Sequence, residues 1–510
     1  MVAEVTTRNR GTNMNEGLLL GIDLGTMSSK GVLCRPNGDV MATTERPHDV
    51  SMPRPGWVEH DAEEVWWKDF AAICSELLEE AEGLVAAVCV SGIGPCFLAA
   101  GKDGEPLRPG ILYGVDTRAA RDVEELTERY GNETIVERCG NPLTSQSVGP
   151  KIAWLRRNET EVWEETRYFF MSHTFVAFRL TGAYVLDHPA AGMCEPLYDH
   201  EQRRWIGEWA DEVAPGLVLP ELHWPADVAG EVTREAAEAT GLPEGIPVVT
   251  GTVDAWSEAA SVGVREPGDL MVMYGTTALT MEIVGDPLPS SNLWSTAGPF
   301  SGTSVLAGGM ATSGALTEWV KKITDGLPFA ELTEEASRVP PGSEGLIVLP
   351  YFAGERNPIS DPSARGVICG LTLRHSRGHL YRAMLEATAF GIRHLLEAVH
   401  EAGGNAKRLV AVGGGTKGGL WPQIVSDVID EPQELPEQTI GAAYGNALLA
   451  GIGGGVVESD TDWSKIVETV EPNQDNREVY DELYTLYKDL YPATRDTVHA
   501  LADVQTQGDY

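Results

Sequence analysis

The chain runs to 510 residues, longer than one hydrophobic core serves, so two to four domains of roughly 100–200 residues each are expected. Asp and Glu number 76 against 38 Lys and Arg, a formal charge of −38 at pH 7. Such an excess argues against nucleic acid or an anionic membrane as partner, because phosphate-rich surfaces need a basic footprint.

In chain order, Met1 to Gly17 is polar and lacks an apolar core, which reads as a disordered tail and neither a signal peptide nor an anchor. Leu18 to Gly25, Lys30 to Arg35 and Val40 to Pro47 read as three meandering strands, with Pro36 to Asp39 as a hairpin turn. A helix follows, started by Asp61 to Glu64 in capping-box fashion and striped by Val65, Trp66, Phe70, Ile73, Leu77 and Leu78. Ala86 to Ser91 and Gly110 to Tyr113 read as further strands. The same order restarts at Asp269, with strands around Met271, Met281 and Ser304 to Leu306, a helix from about His379 to Gly403, and a strand Leu409 to Val412. Pro267 and Gly268 mark a joint. The expected division is a tail 1–17, an N-terminal domain 18–262, a C-terminal domain 263–494 and a polar, fraying tail 495–510.

The seven cysteines are odd in number, scattered and set mostly among apolar neighbours, which suits buried free thiols in a reducing, cytoplasmic compartment. No apolar run approaches the roughly 20 residues of a membrane span. Repulsion between so acidic a body and a polyanionic ligand is screened when the Debye length falls to about 3 Å at 1 M salt, so a halophilic cytoplasm is expected; a merely acidic surface is the plainer alternative.

Two glycine-threonine turns carry the functional signal. One holds Gly25 and Thr26 after the first strand; the other, Tyr274 to Ala278, holds Gly275, Thr276 and Thr277 after the strand Leu270 to Met273. Such turns aim backbone N–H groups and hydroxyls at one spot, and glycine removes the Cβ that would hold a phosphate away. Facing each other, they would clamp a polyphosphate between two similar halves. Asp23, two residues before the first turn, fits a magnesium ion held directly or through water, or an ordinary strand-end aspartate. Asp254 ends the apolar strand Ile246 to Val249 and its Gly251 extension, where it fits a general base for an attacking hydroxyl or a helix N-cap. Gly413 to Gly419 fits a loop that a base or its sugar approaches, or a surface loop, and it lacks the Walker A spacing. Trp57 and the Tyr113 to Arg118 segment, with Asp116 and Arg118, fit a polyol site, or a packed tryptophan and a surface ion pair.

Gly366 to Leu371, followed after seven residues by His379 to Glu386, resembles a C-terminal signature of the FGGY family of carbohydrate kinases. Gly21 to Ser28, Gly56 to Asp61, Gly251 to Asp254, Gly275 to Thr277, Leu349 to Tyr351 with Gly354 to Arg356, and Gly413 to Gly415 are also similar to family counterparts, over nearly the whole chain from about Leu18 to Tyr491. The resemblance implies an α/β fold of two actin-like (ribonuclease H-like) domains with a nucleotide cleft between them. It implies an ATP- and Mg2+-dependent transferase that phosphorylates a small sugar or polyol, most like the xylulokinases, possible also as a homodimer. Asp254 then becomes the base; Asp23 and Thr26 lie by metal and phosphate; Gly275, Thr276 and Thr277 hold the phosphoryl tail; Gly414 and Gly415 line the adenosine site. Xylulokinases usually carry Gln-Met-His where this chain has Ile93, Gly94 and Pro95, so Gly94 faces the sugar without a histidine beside it. Glycerol, ribulose or a deoxyketose stand as alternative substrates, and a silent sugar- or nucleotide-binding regulator as an alternative role. Actin-like ATPase switches lack the signature.

Overall fold

A computed structural model describes residues 17–79 and 84–507. Of the expected tail 1–17 all but Gly17 lies outside the described residues, as do the last three residues.

The first sheet grows from a meander, β1 (Leu18–Leu24), β2 (Ser28–Cys34) and β3 (Val40–Pro47). The chain then enters a helix whose first turns, Ala62–Trp67, are wound as a π-helix and whose remainder is α1 (Lys68–Glu79). Asp61 caps it, Oδ1 accepting the N–H groups of Glu63 and Glu64, both at 3.0 Å. Next comes β4 (Val85–Gly92), parallel to β1. A largely helical insert, including α2 (Val148–Asn158), separates it from β5 (Val228–Glu231) and β6 (Pro247–Val253). The resulting six-stranded order is β5-β6-β4-β1-β2-β3. Central β1 is buried along nearly its whole length, as a strand covered on both faces must be.

After α3 (Asp254–Ser261) the plan repeats. A second meander contains β7 (Asp269–Tyr274), β8 (Ala278–Val284), β9 (Trp294–Ala297) and β10 (Ser304–Met310), followed by α4 (Gly314–Ile323) and α5 (Arg377–Glu401). Then come β11 (Arg408–Val412), α6 (Leu420–Ile429), β12 (Gln433–Pro436), α7 (Ala442–Gly453), β13 (Ile466–Val470) and α8 (Arg477–Gln507). The seven strands order as β9-β10-β8-β7-β11-β12-β13, with β11 parallel to β7 as β4 is to β1. This is the expected pair of actin-like halves.

The halves are not packed separately. Helix α7, late in the chain, lies on the first sheet: Ala443, Tyr444, Ala447, Leu449 and Ala450 share a core with Leu19, Val32, Cys89 and Val249. In exchange, Trp256 and Ala259 of α3 and much of the insert share a core with Met271, Met281 and Val410 of the second sheet. Two glycines permit this interleaving. A Cβ on Gly21 would stand 2.0 Å from Ala443 O, and one on Gly445 would stand 1.9 Å from Ser257 O.

One expectation is overturned. The segment after Thr494 does not fray but continues α8 to Gln507, through Pro492. Val498 and Ala502 are buried on one face, and His499 Nε2 meets Asp361 Oδ2 at 2.6 Å. Tertiary packing of a narrow apolar stripe outweighs a polar composition and a helix-breaking residue. The thiols read as expected: six are buried and only Cys369 is exposed.

Candidate active site

The two meanders turn their ends toward one cavity of about 400 Å3, lined from both halves. Asp23, Thr26, Gly94, Asp254 and Thr277, all singled out from sequence, line it. In the first turn Gly25 N–H donates to Ser28 O at 3.0 Å, and the Thr26 and Tyr113 hydroxyls are hydrogen-bonded at 3.3 Å. His48 braces this turn from behind, with Nε2 3.1 Å from Gly25 O and Nδ1 2.8 Å from Asp69. Burial works against its proton, but Asp69 and the turn carbonyls outweigh that and raise its pKa.

In the second turn Gly275 N–H donates to Thr277 O at 3.0 Å. Gly275 O and Thr276 O accept the first amides of α4 and its approach, from Gly314 at 2.8 Å and Ser313 at 2.9 Å. Neither Gly275 nor Thr276 lines the cavity; Thr276 is exposed beside it. The Gly413 loop presses on the same place. Gly413 has φ +94° and its Cβ would stand 2.6 Å from Tyr274 O, while a Cβ on Gly415 would meet the Tyr274 Cβ and the Trp421 ring and Gly414 faces open space. Gly414 and Gly415 therefore neighbour the second turn, outside the cavity itself.

Three carboxyl groups crowd the opposite wall. Asp254 opens α3 and holds its own helix start, Oδ1 accepting the Ala255 N–H at 2.7 Å; the N-cap is Val253, so Asp254 does not serve as the cap. Burial, and then the charge of Asp23, push the Asp254 carboxyl up to about 7. Burial likewise raises Asp23, against a hydrogen bond from Ser91 and the attraction of Lys30. One turn along α3, burial and the Asp23 charge bring Glu258 up to about 7.

Asn446, which sequence reasoning missed, ties this wall together. Fully buried on α7, its Nδ2 donates to Ile22 O at 2.8 Å and to Ser91 Oγ at 2.7 Å, and Ser91 Oγ donates to Asp23 Oδ1 at 2.8 Å. Its Oδ1 accepts Ser257 Oγ of α3 at 2.8 Å. One amide from the second half thus fixes both strand β1 and the helix carrying Asp254.

Trp57, Asp116 and Arg118, expected at the sugar, do not line the cavity. Arg118 is sealed between Asp116, at 2.6 Å, and Glu59, at 2.7 Å, with its guanidinium 4.0 Å above the Trp57 ring. Asp116 Oδ2 accepts the Val58 N–H at 2.7 Å. This buried ion pair under an aromatic lid joins the Gly56 to Glu59 string to the loop that carries Tyr113 to Thr26. Desolvated charges need partners, and here Arg118, Asp116 and Glu59 supply one another's. The polar residues that do line the cavity include Asn141, Gln146, Glu195, Arg356 and Asn357.

No group of three or more His, Cys, Asp or Glu among the described residues forms a ready metal cage, and no described helix is long and apolar enough to cross a membrane.

Two actin-like halves, paired turns and a carboxylate on the wall between them define a phosphotransferase of the sugar-kinase kind. The family model of the N-terminal domain of the FGGY family of carbohydrate kinases matches residues 18–263, and that of its C-terminal domain matches residues 270–454. The chain belongs to the FGGY family of carbohydrate kinases. Among similar proteins, the xylulose kinase of Lactococcus lactis is 29% identical over 507 residues, covering 96% of this chain and 99% of that one. The crystal structure of xylulose kinase from Rhodospirillum rubrum superposes with a TM-score of 0.88 at 32% identity, covering 94% of this chain and all of that one. Glycerol kinase 2 of Streptomyces avermitilis is 29% identical over 486 residues, covering 90% of this chain and 94% of that one.

Proposed function

We propose that this carbohydrate kinase transfers the γ-phosphoryl group of ATP to a hydroxyl of a small ketose, with xylulose as the leading substrate. The similarity to xylulose kinases over nearly the full length supports the ketopentose. The observation that carries the chemistry is the Asp254 carboxyl, drawn up to about 7 on the wall between the two turns.

A base works best when its pKa lies near the working pH. Asp254 takes the proton of the attacking hydroxyl as that oxygen closes on phosphorus. Thr26 and Tyr113 from one half, and the Gly275 to Thr277 turn from the other, hold the phosphate oxygens, with the Gly414–Gly415 loop toward the adenosine. Phosphoryl transfer through a loose transition state asks for positioning and charge stabilisation more than for covalent help. The oxygen donor Asp23 and the crowded carboxyls suit Mg2+, a hard ion that keeps several waters and arrives with the nucleotide; bound, it would neutralise charge on the phosphates. Gly94 and its neighbours Ile93 and Pro95 give the sugar an apolar wall. The acidic composition and buried thiols support a cytoplasmic enzyme that works at high salt.

The test is ADP release with Mg-ATP in molar KCl across ketopentoses, aldoses, glycerol and gluconate, for wild type and Asp254→Ala. Turnover of a ketopentose, with a loss of roughly 10²–10⁴ in the variant, is expected. Equal rates in the two proteins would remove Asp254 from its role, and preference for glycerol would move the substrate.

A further inference from the structure

With an apolar wall at Ile93, Gly94 and Pro95, the sugar's hydroxyls need partners elsewhere in the cavity. Glu195 stands out among the residues lining it. The residue is 5% exposed, and its two carboxyl oxygens are treated differently. Oε1 accepts the Asn141 Nδ2–H at 2.9 Å, whereas Oε2 has no hydrogen-bond partner among the described residues. The residue's own backbone N–H, then the Asn141 amide and the Ser147 hydroxyl, favour the charged form, but neither that N–H nor the Ser147 hydroxyl reaches hydrogen-bonding geometry to Oε2.

The surroundings hold this group still. Asn141 is itself locked across the two halves, Nδ2 donating to Ser295 O at 3.1 Å and Oδ1 accepting the Ser295 N–H at 2.6 Å. The backbone on either side of Cys194 caps α2: Met193 O accepts the Val148 N–H at 3.0 Å and Glu195 O accepts the Gly149 N–H at 3.1 Å. Lys151 stays close by, its Nζ donating to Ser145 O at 2.6 Å. A carboxyl serving only to hold Asn141 would have no reason to keep a buried, unpaired oxygen at the edge of a ligand cavity, since leaving such a group unsatisfied is costly.

Resting on the kinase reading above, we propose that Glu195 determines specificity by pairing its free oxygen with a sugar hydroxyl other than the one that attacks phosphorus. Burial brings this carboxyl up to about 7. Near neutrality it therefore accepts from a hydroxyl when ionised and donates to one when protonated. Sites built to bond a particular hydroxyl reject the analogue lacking it far more strongly than apolar pockets discriminate size.

The experiment is a cycle of kcat/KM values at saturating Mg-ATP. Wild type, Glu195→Ala and Glu195→Gln are each measured with D-xylulose and with its 1-deoxy, 3-deoxy and 4-deoxy analogues. One analogue is expected to lose about 10- to 100-fold in wild type, with no further loss in Glu195→Ala, because the partner is already gone. Glu195→Gln keeps the side-chain volume and the bond to Asn141, so it carries the test should Glu195→Ala fail to fold; it is expected to blunt the same discrimination. If every analogue loses the same factor in wild type and in the variants, Glu195 reads no hydroxyl and the proposal falls while the kinase reading stands. Failure of the wild type to phosphorylate any ketopentose overturns the substrate reading, and this proposal with it.

Discussion

At neutral pH Asp254, proposed above as the base, is also a burden on the fold. An aspartate in the unfolded chain titrates near 3.9, whereas burial and then the Asp23 charge push this one up to about 7. A folded pKa above the unfolded one contributes stability that is whole below about pH 4 and drains away as pH rises through 7. The shift of about three pH units sets an upper bound of ~4 kcal/mol, at roughly 1.4 kcal/mol per unit. Asp254→Asn removes the titration, so it is expected to melt above wild type at about pH 8, with a gap that shrinks toward about pH 5. Thermal unfolding of both proteins across that range checks it; a gap independent of pH would mean that Asp254 is not strained. The residue scale is also where sequence reading did best and worst. Asp23, Thr26 and Asp254 were legible because strand, turn and carboxylate fall in one short window. Asn446 was not, because its partners Ile22, Ser91 and Ser257 lie far back in the chain, and Glu195 was not, because its tie to Asn141 and its place in the cavity exist only once the chain is folded. Trp57, Asp116 and Arg118 stand outside the cavity; the residue types that suit a polyol equally suit a buried ion pair under an aromatic ring.

At the scale of elements, the meander-helix-strand order was readable twice over, from period-two runs separated by turns. The crossing of α7 onto the first sheet was not, for an Ala- and Gly-rich helix is apolar all round and its pattern names no face. Gly21 shows the consequence: it reads as the start of the family-like run Gly21 to Ser28, yet its missing Cβ makes room for the Ala443 carbonyl. Gly445→Ala puts a methyl group 1.9 Å from Ser257 O, a backbone atom that cannot swing aside. Overpacking of this kind costs about 1–3 kcal/mol or more. A lowered melting temperature is expected, with a drop in kcat greater than the change in the sugar's KM, because the shifted α3 carries Asp254. Unchanged melting would mean that α7 rides further from α3 than the structure has it.

For the molecule as a whole, the charge of −38 makes compaction work against its own repulsion. Screening relieves it, and the Debye length shrinks from about 10 Å at 0.1 M salt to about 3 Å at 1 M. Both the melting temperature and kcat/KM for Mg-ATP are therefore expected to rise from about 0.1 M to molar KCl. Best performance at the low end would assign the acidity to solubility alone. The interleaving of the halves has a further consequence, for inheritance and for engineering. A polypeptide ending at the joint near Gly268 would leave bare the apolar face of Leu19, Val32, Cys89 and Val249 that α7 now covers. The duplicated architecture invites cutting and shuffling at its middle, but neither piece is a free-standing module, so evolution can trade them only as a matched set.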